Sequence, residues 1–359
     1  MRKALRSARH AAALLVAILI PLLLPAILPA GAQASRRELY SSAGWPLGPY
    51  AWIEQQVFEE RSRIDLLFAG SSHVWAGIDN PALQAEMAHA RHGSAVVRTV
   101  GWPRSGYDIV YFVVKDLLAH RKVKALVLYD EVAQDDVQAA AHHWFRYADE
   151  PKALSGIPFH DAAALYAASV LGMPRNVLSL LRSNGEPDPA PLTKSIWEGG
   201  MHRADLFPER LGALTAHISY GYDPTFVAFA PPPAIARAEI YSAATSAHFR
   251  FTETAIPLYQ RVFLERIATL AKEHDTTLVF LDIPTFTERK NQTSSEQLCW
   301  PRELPGRVRV VGVSPADLFA GLSDNQVQRL YFDEGHFNAN GQRFFTEAVA
   351  SALIQVADE

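Results

Sequence analysis

Two short runs near opposite ends of the chain hold the residue types that acyl transfer needs. Gly70-Ser71-Ser72-His73 follows the apolar run Ile64–Ala69. A serine on a tight turn at the carboxyl end of a strand exposes its hydroxyl above the sheet, and glycine there lets the chain turn and a substrate come close. The turn is not a Gly-x-Ser-x-Gly elbow, because Val74 stands where the second glycine would be. Asp333-Glu334-Gly335-His336 lies just ahead of the last amphipathic stretch. A nucleophilic serine needs a base to take its proton, and that base needs an acceptor to fix its tautomer and stabilise the imidazolium. An Asp three residues before a His on one loop can supply both. Each run alone is an ordinary loop composition; it is the pairing that points to chemistry.

The elements that must position them read as alternating strands and helices. Strands are predicted at Ile64–Ala69, Ala95–Val100, Val123–Tyr129, Thr277–Asp282 and Arg307–Val311, from short apolar and β-branched runs ended by turn residues. Helices are predicted near Ile53–Glu60, then over Pro81–Arg91 with Asn80 as N-cap, Tyr107–His120, Glu253–Lys272 and Asn338–Val356. That alternation implies a parallel sheet covered on both faces, with functional residues gathered at the carboxyl ends of the strands. The stretch 139–247 breaks the pattern with loops, the His142-His143 pair and Pro231-Pro232-Pro233. It reads as an insertion or cap with helix of its own at Ala162–Leu171 and Asn176–Leu181.

The N-terminus sets the compartment. Arg2, Lys3, Arg6 and Arg9 precede a charge-free apolar run, Ala11–Ala30, and then Ala32-Gln33-Ala34. A basic region, an apolar segment and a small-x-small site describe a secretory signal peptide. About 20 apolar residues also suffice to cross a bilayer as a signal anchor. Pro21, Pro25 and Pro29 weaken a regular spanning helix and tilt the reading slightly towards cleavage; both fates stay open. Residues 1–34 are therefore a leader or anchor, and 35–359 one α/β domain. Removing the four leader cations takes the net charge from −4 to −8. An acidic remainder argues against a nucleic-acid partner, which needs clustered Lys and Arg, and suits a polar, uncharged substrate such as a glycan. Cys299 is the sole cysteine, so no intramolecular disulfide can form.

The Gly-x-Ser turn after the first strand, with Asp-x-x-His before the last helix and Asn338, Asn340 and Gly341 behind it, resembles the SGNH (GDSL-like) hydrolase superfamily. Phe68-Ala69-Gly70-Ser71-Ser72 matches its first block and Asp333-Glu334-Gly335-His336-Phe337-Asn338 its last. The resemblance implies a three-layer, flavodoxin-like parallel sheet, here with a large cap insertion. It makes Ser72 the nucleophile, His336 the base and Asp333 the orienting acid. It implies no metal and no cofactor.

The departures are informative. Ser71 replaces the usual Asp of Gly-Asp-Ser. The glycine whose N–H helps bind the oxyanion is sought in Gly101-Trp102-Pro103-Arg104-Ser105-Gly106, with Gly106 first and Gly101 second; the Ser72 N–H is a further donor. The third block, Gly-x-Asn-Asp, is missing, and Tyr129-Asp130-Glu131 stands in its place. These features resemble the envelope subset that works beside membrane-bound O-acyltransferases in exopolysaccharide O-acetylation and teichoic-acid D-alanylation. The implied function is acyl transfer to, or removal from, a surface polymer, with a membrane-bound acyltransferase as a partner. The alternative is a non-catalytic glycan-binding or assembly module on the same fold. His142 and His143 beside Asp135 and Asp136 lack a spaced metal-ligand set. Trp75, Trp102, Trp144 and Tyr107 could stack on a sugar, with core packing the stronger expectation; Arg104 reads as solvated by default. Asn291-Gln292-Thr293 fits a glycosylation sequon, of a kind common by chance.

Overall fold

The apolar run of the leader lies in one helix, α1 (Ala8–Ile27), which continues through Pro21 and Pro25. Each proline removes one backbone donor, yet neither ends the helix, against the expectation that they would weaken it. Its segment Arg9–Ile27 has mean hydropathy 2.4 and is long enough to cross a membrane. The computed structural model describes residues 8–28, 35–41, 53–101, 106–129, 144–183, 235–242, 256–286, 304–331 and 335–359.

After the leader come α2 (Arg36–Ser41) and a π-helical turn, Gln55–Glu59. Then follow β1 (Ile64–Gly70), α3 (Ser72–Gly77), α4 (Asn80–Ala90), β2 (Val97–Gly101), α5 (Tyr107–His120) and β3 (Val123–Tyr129). A long helix, α6 (Phe159–Ser183), and a short strand, β4 (Glu239–Ser242), lie in the stretch read as an insertion. The chain closes with α7 (Leu258–Glu273), β5 (Thr277–Leu281), β6 (Val308–Gly312), α8 (Pro315–Leu318), α9 (Asp324–Gln328) and α10 (Ala339–Asp358).

The six strands run in the order β2-β1-β3-β5-β6-β4, all parallel except β4, which pairs antiparallel with β6 at the edge. Counted by themselves, the five parallel strands have the doubly wound order 2-1-3-4-5, with its switch point between β1 and β3. β1 is buried along its whole length, and its side chains alternate between two cores. Ile64, Leu67 and Ala69 join α5 and α7 on one face; Leu66 and Phe68 join α4 and α10 on the other. A side chain such as Phe68, fully buried, contributes roughly 2–3 kcal/mol. Helices thus cover both faces, which is the three-layer arrangement.

Local differences from the sequence reading have simple causes. Asp79, not Asn80, caps α4: its carboxylate accepts the Ala82 N–H at 3.1 Å, while the Asn80 amide donates to Thr99 Oγ1 at 2.7 Å. α6 is one helix where two pieces were expected. α7 begins at Leu258, after Pro257, later than Glu253. β4 shows that the end of the insertion belongs to the sheet, and Trp144 near its start is fully buried in the core.

The segment just after the leader is tied into this core. Arg36 reaches Asp116 on α5 through Nε and Nη2, at 2.6–3.2 Å, and donates to the Trp144 carbonyl at 2.7 Å. The buried Tyr40 hydroxyl donates to the same carboxylate at 2.9 Å. Burial alone would depress the Arg36 guanidinium, but the Asp116 charge and hydrogen bonds outweigh it and raise its pKa. Replacing Asp116 by Ala removes the acceptor that Arg36 and Tyr40 share. The expected loss is about 3 kcal/mol, read in detergent as a lower denaturation midpoint at unchanged slope.

Candidate active site

β1 delivers Ser72 to the carboxyl edge of the sheet, beside the switch point. Gly70 ends the strand, Ser71 caps the short α3 with its side chain facing the His73 N–H, and Ser72 is the first helical residue. Ser72 is partly exposed and can meet a ligand. Its Oγ lies 2.7 Å from His336 Nε2, across 264 residues of sequence. A hydroxyl and an imidazole at that distance are within the hydrogen-bond reach that a nucleophile–base pair requires. With Nε2 engaged, the other ring nitrogen is the one an orienting carboxylate serves in such pairs. Asp333, expected in that role, lies outside the described residues, as do Trp102, Arg104, Asp135, Asp136, His142, His143, Asn291 and Cys299.

His336 stands on a loop held from both sides. Phe337, buried, forms an isolated antiparallel bridge with Tyr331. Asn338 caps α10, its side-chain oxygen accepting the N–H groups of Asn340 and Gly341 at 2.9 and 3.1 Å. Its amide nitrogen donates to the Arg329 carbonyl at 2.7 Å and faces the Tyr331 carbonyl at 3.3 Å, while its backbone N–H donates to Leu330. One asparagine therefore fixes both the start of the last helix and the turn that carries the base. The same helix reaches the serine side: Thr346 Oγ1 accepts the Asp79 N–H at 2.8 Å, just after α3.

Two residues given no role by the sequence reading complete the geometry. The His73 ring stacks on His336 with centroids 4.5 Å apart and planes 18° apart. On its far side it stacks on Tyr129 at 5.1 Å and 22°. Tyr129 ends β3, where the resemblance led one to seek an asparagine block. The stack Tyr129–His73–His336 bridges the switch point and restrains the imidazole plane that faces Ser72. Gly335 makes room for it, since a Cβ there would lie 2.7 Å from His73 Nε2. The available signal was positional: Tyr129 is the last residue of a strand whose carboxyl end borders the site, and His73 follows the serine directly.

The two candidate oxyanion glycines flank the same edge. Gly101 ends β2, with its Cα in register with Gly70. Gly106 is the N-cap of α5, at φ 157°, a conformation that favours glycine. Gln260, fully buried on α7, points its side-chain oxygen at the N–H groups of Tyr107, at 2.7 Å, and Asp108, at 3.4 Å. This pins the first turn of α5 and with it Gly106. Tyr259 donates to Asp108 at 3.0 Å; burial and then the Asp108 charge push its phenol well above the usual range. Tyr107, one of the four aromatic residues considered for sugar stacking, is buried, as is Trp144.

No protein-family model matches the chain, and the search of curated proteins gives no match. The class defined by the fold and the site is a mostly parallel, doubly wound α/β domain with a Ser–His pair at its switch point.

Gly335→Ala pushes a methyl into His73 and breaks the stack behind His336. Labelling of Ser72 by a fluorophosphonate probe, followed by mass spectrometry, should slow at least ~10-fold, the scale of a misplaced catalytic group. The denaturation midpoint should change little, because Gly335 lies at the partly exposed edge.

Proposed function

We propose that this chain is an SGNH-like serine acyltransferase or esterase that moves a small acyl group, acetyl in the first instance, on a cell-envelope polysaccharide or similar surface polymer. The observation that carries the reading is the 2.7 Å contact of Ser72 Oγ with His336 Nε2 at the carboxyl edge of β1. Ser72 Oγ attacks the ester carbonyl as His336 Nε2 takes its proton. The tetrahedral intermediate collapses, the leaving alkoxide takes that proton from His336, and acyl-Ser72 remains. A sugar hydroxyl or water then gives its proton to His336, attacks the acyl-enzyme and releases Ser72. Asp333 holds the His336 ring in the required tautomer. Ser72 N–H, in the first turn of α3 where helical N–H groups lack an intrahelical acceptor, binds the oxyanion with the N–H of Gly106 or Gly101.

The working face is outside the cytoplasm. The basic N-terminus stays inside and α1 leads the domain across the membrane, either to remain as an anchor or to be cut after Ala34. An anchored domain stands beside a membrane-bound O-acyltransferase, which supplies its acyl donor. The second reading, a glycan-binding or assembly module without catalysis, draws on Tyr129 standing in place of the asparagine block.

Full-length protein treated with an aryl acetate should carry an acetyl group on the Ser72 peptide by mass spectrometry. Ser72→Ala and His336→Ala should each lower turnover by ~10³-fold or more, and Asp333→Asn by up to ~10⁴-fold, the losses typical of such triads. Equal turnover in wild type and Ser72→Ala, or none in either with aryl acetate and a polymer acceptor, would leave the non-catalytic module standing.

A further inference from the structure

Helix α6 lacks the polar outward face expected of a helix on a soluble surface. Its inward face is buried: Leu165 and Ala168 lie against the protein, with Asp161 and Ser169 among them. The outward face of such a helix is normally polar. Here the residues exposed at every fourth position are Phe159, Ala163, Ala167 and Leu171, with Phe159 88% and Leu171 68% exposed. From Ala162 to Pro174 the sequence holds no charged residue. The stripe runs about 18 Å at 1.5 Å per residue. His160, paired with Asp161 at 3.1 Å, is the titratable group beside its start.

The stripe does not stand alone. α1 packs against α6, and the Tyr166 hydroxyl donates to the Leu22 carbonyl of α1 at 2.6 Å. Near that contact Pro25 is buried, whereas the apolar part of α1 from Ala11 onwards is otherwise almost entirely exposed. Leu22 lies five residues before the end of α1, so Tyr166 meets it about 8 Å below that end. If α1 crosses the bilayer, this is the depth at which interfacial helices seat their apolar faces, about 5–10 Å into the headgroup–acyl boundary. Tyrosine is itself enriched there. Tyr147 packs edge-on against Tyr166 at 5.2 Å and backs it from the domain side.

We infer that the Phe159–Leu171 stripe of α6 is a lipid-contacting surface that seats the domain on the outer leaflet beside α1. This rests on the reading of α1 as a retained anchor. An apolar surface continuous with a membrane span, lacking charge and set at interfacial depth, fits acyl chains and the glycerol region rather than water. The domain is then held at two places, which fixes its height and tilt above the membrane.

The test uses the full chain in phosphatidylethanolamine–phosphatidylglycerol vesicles, with Cys299→Ser as background. Single nitroxide labels are placed at Ala163→Cys, Ala167→Cys and Leu171→Cys. Ile18→Cys on α1 serves as the lipid reference and Glu86→Cys on α4 as the water reference. Collision rates are read with oxygen, which concentrates in lipid, and with a water-soluble nickel chelate. The α6 labels should show an oxygen-to-nickel ratio at least fivefold above Glu86→Cys, approaching Ile18→Cys. Nickel access equal to Glu86→Cys, with Ile18→Cys still in lipid, overturns the inference while the anchor stands. Shielding from both reagents also overturns it, in favour of a protein partner or second copy on that face. A water-exposed Ile18→Cys removes the anchor itself, and the inference with it.

Discussion

A hydroxyl from the first strand and an imidazole from the loop before the last helix meet at 2.7 Å, and most of the fold can be read as the means of holding them there. β1 lies inside the sheet between β2 and β3 and is buried on both faces, so its end is firmly held. The partner loop is confined, among its described residues, by the Tyr331–Phe337 bridge and the Asn338 cap. α10 joins the two halves, packing on α3 and α4, with His336 on the loop that leads into it. A shift of α10 along the sheet would therefore move the base and the turn after the serine together.

The ring stack adds a second restraint of a different kind. Hydrogen bonds set how far apart the serine and imidazole lie; stacked planes set how the imidazole is tilted. His73 serves both partners, because it leaves the chain directly after Ser72 and packs against His336. Tyr129 closes the stack from β3, so the three rings come from three segments that meet only where the winding of the sheet reverses.

Much of this was legible in the sequence, for identifiable reasons. Buried parallel strands show as uninterrupted apolar runs, so Val123–Tyr129 was read to the residue and Ile64–Ala69 to within one. The start of α10 was read to within one residue because a clear amphipathic repeat follows Asn338, whose role as cap the reading did not assign. Asp79 was missed because Asn80 and Pro81 offered an equally good start one residue later. Helix α6 was divided in two around Gly172 and Pro174, residues that signal a stop, yet one helix runs through both. β4 is four residues long on an edge, too short to show a period. The stack was illegible for a deeper reason: ring-on-ring contact depends on where two strand ends and a loop converge, and no local spacing encodes that.

The 264-residue separation within the pair also bears on the order of events in the life of the chain. A polypeptide made from its amino end presents Ser72 early and His336 nearly last. The first three strands can pair before then, since β1, β2 and β3 are neighbours in the sheet. Closing the longest loop is the slow and entropically costly step in such topologies. The Ser72–His336 contact therefore forms only after α10 has docked. Any truncated product, however well its first half folds, is left with an unassisted hydroxyl.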